Sequence, residues 1–241
     1  MFTDWLLVGF EGSQRGFGSP ARDNIVATYR SLDDVQGEAA YLPSDEGASL
    51  CAEIGFRSGE AAHLLRANLM DLFGSPNPSQ EKTRAGFLRA LEIARALGDG
   101  DMISQAAFLL TFGHGSTPSE DIAYFAEAIE QSRLRGDVPL LAEYLDMRAT
   151  RLEEANRLKE ATADYEEAAN QFKAAQMPYH HVRALLRLET ILRKTGDKSR
   201  AAAAAREARA VERSLGVLSN ELFHEEVSAE VSPLEPDALS F

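Results

Sequence analysis

A recurring pair of packing positions divides most of the chain into segments of similar length. In each pair a large residue is followed three positions later by a small one, which places both on one face of a helix. The pair occurs at Phe87/Ala90, Phe125/Ala128, Tyr165/Ala168 and, with alanine in the large position, Ala205/Ala208. These spacings of 38, 40 and 40 residues are typical of stacked helical repeats. A weaker copy lies upstream at Ala48/Cys51.

Glycine marks the predicted ends of these helices. Eleven positions after the first residue of each pair the chain has Gly59, Gly98, Gly136, Gln176 and Gly216. Glycine adopts the left-handed conformation that closes a helix more readily than other residues. Two helix starts are predicted by NPSQ at 77–80 and TPSE at 117–120, which combine a capping residue, a proline and a Gln or Glu.

These signals predict an all-α chain of about five antiparallel helical hairpins. The predicted pairs are 22–35 with 44–57, 60–73 with 79–97, 100–112 with 118–135, 138–155 with 158–175, and 179–194 with 198–215. A single hairpin of this length cannot bury its apolar stripe, whereas stacked neighbours can. The pattern therefore favours a helical solenoid.

The fourth hairpin resembles the tetratricopeptide repeat (TPR) superfamily, in its longer variety of 38–42 residues. The superfamily's small and large packing residues occur in order at Ala149, Leu152, Leu158, Ala161, Tyr165 and Ala168. The fifth hairpin matches at Leu192, Gly196, Ala201 and Ala208. The resemblance covers residues 45–216 and implies a right-handed α-solenoid in which the first helix of each hairpin lines a concave groove.

Three residues depart from the TPR pattern. Asn156 replaces the usual glycine, Ala205 replaces an aromatic residue, and Glu189 stands where a small residue is expected. Because an unpaired buried carboxylate is costly, we expect Glu189 to have a basic partner or to lie at the edge of the helix contact.

Three regions are predicted on this basis. Residues 1–20 form a flexible or docked lead-in that contains the apolar run WLLVGF, and residues 21–216 form the TPR-like repeat domain. Residues 217–241 contain no lysine or arginine and form a capping helix followed by an acidic tail.

Composition narrows the function classes. The 38 acidic and 25 basic residues give a formal charge of −13, which disfavours nucleic acid and anionic lipid and favours basic partners. The single cysteine, Cys51, excludes an intramolecular disulfide, and its packing position predicts a small buried thiol. With no basic leader or long apolar span at the start of the sequence, we expect a soluble cytoplasmic protein.

The sequence offers little catalytic chemistry. VGFEGSQRGFGSP at 8–20 lacks the lysine of a phosphate-binding loop and the spacing of a dinucleotide-binding turn. The five histidines lack metal-ligand spacing, and we expect them to be exposed or to lie in turns. No nucleophile motif is present. The expectation is a non-catalytic protein without cofactor or metal.

The resemblance does imply a set of groove residues. On the first helices of the last two hairpins these are Glu143, Asp146, Thr150, Glu153 and Glu154, followed by Arg183, Leu186, Arg187, Thr190, Arg193 and Lys194. An acidic strip thus lies beside a basic one. The two strips either pair across the repeat interface or read charge along a bound segment. Arg183 and Arg187 match the basic positions of a carboxylate clamp, but Met147 stands where a clamp has asparagine.

The favoured function is protein–protein interaction, with a peptide or partner helix in the groove, as in a scaffold or adaptor. The partner is a protein or peptide, including one with basic segments, and neither nucleic acid nor membrane is expected. Two alternatives remain open. One is a regulatory or sensory TPR-like protein that binds a small peptide or metabolite, and the other is an accessory subunit of a larger assembly.

Overall fold

The computed structural model describes residues 44–75, 79–112 and 116–216, and within these ranges every regular element is an α-helix. The described helices are α1 (Ser44–Glu53), α2 (Arg57–Gly74), α3 (Gln80–Leu97), α4 (Gly100–Leu110), α5 (Pro118–Arg135), α6 (Val138–Glu154), α7 (Leu158–Ala174), α8 (Pro178–Lys194) and α9 (Lys198–Leu215). The all-α prediction is confirmed for these residues. The lead-in at 1–20, the helix at 22–35 and the terminal region 217–241 lie outside the described residues.

The helices belong to two compact units, Met1–Ser116 and Thr117–Phe241. In the first unit α1 to α4 pack in chain order, and α2 also contacts α4. In the second unit each helix from α5 to α9 packs against the next. Packing of consecutive helices of similar length is the arrangement of a helical repeat.

The predicted packing pairs form the centres of the helix contacts. Phe87, Phe125 and Tyr165 are each 1% exposed. The alanines that follow them three positions later, and Ala208, are fully buried. Cys51 is also fully buried, and burial raises the pKa of its thiol. Burial therefore confirms these packing positions, and Cys51 is the small buried thiol that the sequence predicts.

Helix ends follow the local signals in most places. Thr117 accepts a hydrogen bond from the backbone N–H of Glu120 at 3.2 Å, while the Glu120 carboxylate accepts from the Thr117 N–H at 2.8 Å. This is a complete capping box. Gly98, Gly136 and Gly216 have φ of 67°, 69° and 71° and close their helices in the left-handed conformation. Within the described helices, these predictions are confirmed.

Two predicted helix signals are wrong in position. Gly59 lies inside α2, because α1 already ends at Glu53 and Gly55 takes the left-handed conformation with φ 71°. A Cβ added to Gly59 would lie 2.7 Å from Cys51 Sγ, so its small size serves close packing. At the start of α3 the cap is Ser79, without a side-chain hydrogen bond, while residues 76–78 lie outside the described residues.

Among the described helices, none combines the length and apolar character needed to cross a membrane.

Candidate functional site

The predicted groove residues that the structure describes lie on α6 and α8, two helices that both pack against α7. We call this surface the α6–α8 face. It comprises Glu143, Asp146, Thr150 and Glu153 of α6, and Arg183, Leu186, Arg187, Thr190, Arg193 and Lys194 of α8. The Asp137 carboxylate caps α6 by accepting from the Leu140 N–H at 3.2 Å. Each of the two helices has a proline in its first turn.

Asp146 is the centre of the α6–α8 face. Its side chain is 2% exposed, and its Oδ2 accepts hydrogen bonds from Arg187 Nη1 at 3.0 Å and Arg183 Nη2 at 3.4 Å. Its Oδ1 is buried, and none of the described residues donates to it. The side chains of Arg183 and Arg187 are 25% and 39% exposed, respectively, so both reach the surface from a buried carboxylate. Asp146 thereby ties α6 to α8.

A hydroxyl pair extends this contact onto α7. Arg187 Nη1 also donates to Thr150 Oγ1 at 3.1 Å, and Thr150 Oγ1 lies 3.2 Å from the Tyr165 hydroxyl. Burial raises the pKa of Tyr165 to about 12, although the hydrogen bond with Thr150 opposes the shift. The sequence assigns Tyr165 to packing alone. Nothing in the local pattern indicates that its hydroxyl meets the polar face.

The second link between the helices is an ion pair between Lys194 and Glu153. Glu153 Oε2 also accepts from the Tyr165 hydroxyl at 3.5 Å. Together with the Asp146 contacts, this pair shows that the acidic and basic strips are joined across the repeat interface. Within the described residues, acidic side chains of α6 are thus paired with basic side chains of α8.

Other predicted groove residues contribute differently. Arg193 pairs with Glu189 on its own helix at 2.6 Å, so Glu189 has the basic partner that the sequence predicts. Thr190 donates to the Leu186 carbonyl at 2.9 Å, within the same helix. Leu186 itself is half-buried and gives the face an apolar point. Glu154 pairs with Arg151 at 3.0 Å, on α6 alone.

Glu143 is the most perturbed carboxylate of the face. Burial raises its pKa to about 7, with a contribution from Asp146 and a smaller one from Asp137, while Arg183 opposes the shift. Since the shift is dominated by desolvation, Glu143 carries a proton for part of the physiological pH range. The charge of the α6–α8 face therefore changes near neutrality.

The prediction that the histidines are exposed or in turns is wrong for two of them. His63 and His181 are 2% and 4% exposed, on α2 and α8. Their helices bury them because the repeat register places these positions at helix contacts, which a single-helix pattern does not reveal. His180 is half-buried, and His114 and His224 lie outside the described residues. In the part of the chain that the structure describes, no group of three or more His, Cys, Asp or Glu side chains could hold a metal ion.

Comparisons with known proteins define the class of fold. No family model and no curated protein matches the sequence. The chain is similar to the crystal structure of BtubC (BKLC) from P. vanneervenii, with a TM-score of 0.50 and 14% identity over 92% of this chain and 96% of that one. It is also similar to the STAND protein with a tetratricopeptide repeat sensor PH0952 from Pyrococcus horikoshii, with a TM-score of 0.47 and 16% identity over 88% of this chain and 35% of that one. At such identities, the similarity to BtubC supports a helical-repeat fold and nothing finer.

Proposed function

We propose that this chain is a non-catalytic, TPR-like protein-interaction module that holds a peptide or a partner helix on the α6–α8 face. One observation carries the proposal. The buried carboxylate of Asp146 accepts hydrogen bonds from two part-exposed arginines of the next hairpin, Arg187 at 3.0 Å and Arg183 at 3.4 Å. Arg187 is held by two hydrogen bonds from Nη1 while its side chain remains 39% exposed, so its guanidinium presents fixed donors at the surface.

The fixed arginines favour binding in two ways. A guanidinium has five N–H donors, and among the described acceptors Asp146 and Thr150 engage only Nη1 of Arg187. Its remaining donors suit the carboxylate or backbone carbonyl of a partner. Because Asp146 already restricts the side chain, less conformational entropy is lost when the partner binds.

The rest of the face sets the chemistry of the partner. Leu186 offers apolar contact beside the arginines, and Glu143 adds an acidic point on the neighbouring helix. An amphipathic segment that carries an acidic group for Arg187, an apolar side chain for Leu186 and a basic group for Glu143 fits this order. The formal charge of −13 steers basic segments of a partner towards the chain.

The test is a quantitative pull-down from lysate of the source cells, with bound proteins identified by mass spectrometry. Wild type is compared with Arg183→Gln/Arg187→Gln and with Leu186→Asp. The matched control is Arg206→Gln/Arg209→Gln, which removes the same charge from exposed positions of α9. Circular dichroism and thermal melting establish that each variant is folded.

A partner that is retained by the control and lost from both face variants supports the proposal. The same partners with all four proteins would exclude the α6–α8 face as the binding site. Peptides that span the captured partner then give Kd values for wild type and variants. We expect roughly a tenfold or greater weakening for the double arginine variant, since it removes charge-assisted hydrogen bonds.

A further inference from the structure

A second surface of the repeat contains a cleft of about 270 Å³ between α7, α8 and α9. Its floor is apolar and comes mainly from α8, and its rim carries charged side chains of α7 and α9. The lining residues include Ala169, His181, Leu185, Leu188, Ala204 and Glu207. Leu185 and Leu188 are at most 7% exposed, so the space lies over packed core. None of these residues belongs to the α6–α8 face.

The cleft results from a local change in the repeat. Forty residues earlier, the positions of Leu188 and Ala204 are held by Arg148 and Asp164. These two form a bidentate ion pair, with Nε to Oδ2 at 2.7 Å and Nη2 to Oδ1 at 2.8 Å. The pair fills the space between α6 and α7. An alanine in place of the aspartate and a leucine in place of the arginine leave room between α8 and α9.

Other features of the repeat are retained around the cleft. Lys173 pairs with Glu207 at 2.8 Å, as Arg133 pairs with Glu167 at 2.7 Å one repeat earlier. A further pair between Arg200 and Glu166 spans α7 and α9. The walls are thus fixed by ion pairs while the interior is open.

His181 brings a buried polar atom to this interior. Its Nδ1 lies 2.8 Å from the Ala169 carbonyl oxygen, and because a carbonyl only accepts, Nδ1 must carry the hydrogen. In the neutral ring Nε2 is then an acceptor. It is buried without a hydrogen-bond partner among the described residues, and it lies 3.4 Å from Glu207 Oε1. Two acceptors therefore converge at one end of an apolar cleft.

We propose that the cleft binds a small aliphatic primary ammonium compound, whose N–H groups bridge His181 Nε2 and the Glu207 carboxylate while its alkyl chain lies over Leu185 and Leu188. The ammonium group supplies the donor that His181 lacks and the positive charge that Glu207 favours. The hydrogen bond from Lys173 holds the pKa of Glu207 below its usual value, with smaller contributions in the same direction from the Lys173 charge and from His181, so this carboxylate is ionised at neutral pH. The alkyl chain matches the apolar floor.

The experiment follows the His181 ring and the backbone amides of the full chain by NMR during titration at neutral pH. Three probes share one alkyl chain: n-pentylamine, 1-pentanol and n-pentyltrimethylammonium. Only n-pentylamine has both a positive charge and N–H donors. We expect it to shift the His181 resonances and to saturate at roughly 1–10 mM, as is usual for a fragment of this size. The other two probes should cause no saturable shift at His181.

The repeat supplies matched control variants. Ala203→Leu occludes the cleft from an exposed position, and Ala163→Leu places the same change at the equivalent exposed position one repeat earlier. Glu207→Gln removes the charge that faces His181. Its control, Glu167→Gln, removes the equivalent charge one repeat earlier, where Glu167 pairs with Arg133. We expect Ala203→Leu to abolish pentylamine binding and Glu207→Gln to weaken it roughly tenfold or more. The two controls should bind like wild type.

Three results would overturn the proposal. Equal shifts with 1-pentanol would show that no ammonium is recognised. Binding that survives in Ala203→Leu would place the amine elsewhere. His181 resonances that respond to pH but not to pentylamine would mean that a proton, rather than a ligand, satisfies Nε2.

Discussion

Arg187 donates from Nη1 to Asp146 Oδ2 at 3.0 Å, although the two residues are 41 positions apart in the chain. Asp146 is 2% exposed and Arg187 is 39% exposed. The contact therefore anchors a surface cation to the interior of the preceding hairpin. It joins the two helices on which the proposed binding surface depends.

Asp146→Ala should lower the free energy of unfolding by about 2–3 kcal/mol, measured by urea denaturation. The substitution leaves Arg183 and Arg187 without their buried acceptor. Loss of one partner from a fully buried pair costs about 3–5 kcal/mol, and the part exposure of both arginines reduces this. Glu167→Gln, which breaks the exposed pair with Arg133, should cost about 0–1 kcal/mol. Equal effects of the two substitutions would contradict the central role of Asp146.

Glu143 should make stability depend on pH. Its pKa is about 7 in the folded chain and 4.5 as the ordinary value, so between these pH values the folded state binds more protons than the unfolded state. The free energy of unfolding therefore falls as pH rises from 4.5 to 7. Below this window the carboxyl group is protonated in both states.

Glu143→Gln removes this pH dependence. At pH 8 the variant should be more stable than wild type by about 1–2 kcal/mol, a value reduced from the full linkage energy because Glu143 is only half-buried. Urea denaturation at pH 5 and pH 8 provides the comparison. A carboxyl carbon resonance of Glu143 that titrates near 4.5 in wild type would show that this side chain is not desolvated.

Two substitutions of Tyr165 should separate the contributions of its ring and of its hydroxyl to the free energy of unfolding. Tyr165→Phe removes the contacts with Thr150 and Glu153 and should cost about 0.5–1.5 kcal/mol. Tyr165→Ala also leaves a cavity at a fully packed position and should cost about 3–5 kcal/mol. In an ultraviolet titration, the difference between the spectra of wild type and Tyr165→Phe should show a phenol that ionises near pH 12. A difference spectrum that titrates near pH 10 would mean an exposed hydroxyl.

Two substitutions at helix ends should change the stability of the chain in opposite directions. Gly136 has φ 69°, and an added Cβ would meet nothing within 4 Å. The cost of Gly136→Ala is therefore conformational, and we expect a loss of about 1 kcal/mol. Gln176 occupies the equivalent position one repeat later with φ 56°. Gln176→Gly should raise stability by about 0.5 kcal/mol, and a thermal melt that moved both variants in the same direction would refute this explanation.

Part of this structure follows from local sequence alone. Helix positions, the buried pair Tyr165/Ala168 and the capping box at Thr117 depend on residues within one or two turns, and a repeated pattern reports the same contact several times. Gly59 shows the limit of this reasoning. The spacing fits a helix end, but α1 is shorter than its counterparts, so Gly55 closes the helix.

The repeat register assigns the charged residues of the α6–α8 face to two equivalent helices, and that they form the binding groove stays a prediction. How these residues are paired did not follow from the sequence. Asp146 and Arg187 belong to different hairpins, and their burial depends on the distance between α6 and α8, which no single segment specifies. Only the packed structure distinguishes a paired face from two solvated strips.

The sequence by itself determined the period, the helices and the packing residues, because these depend on local spacing. The tertiary structure decided which polar groups are buried together. It placed the Tyr165 hydroxyl beside Thr150, and it opened a cleft at His181 where the repeat lacks the Arg148–Asp164 pair. Such features depend on side chains about 40 positions apart and on the volume between three helices, and both are fixed only when the hairpins stack.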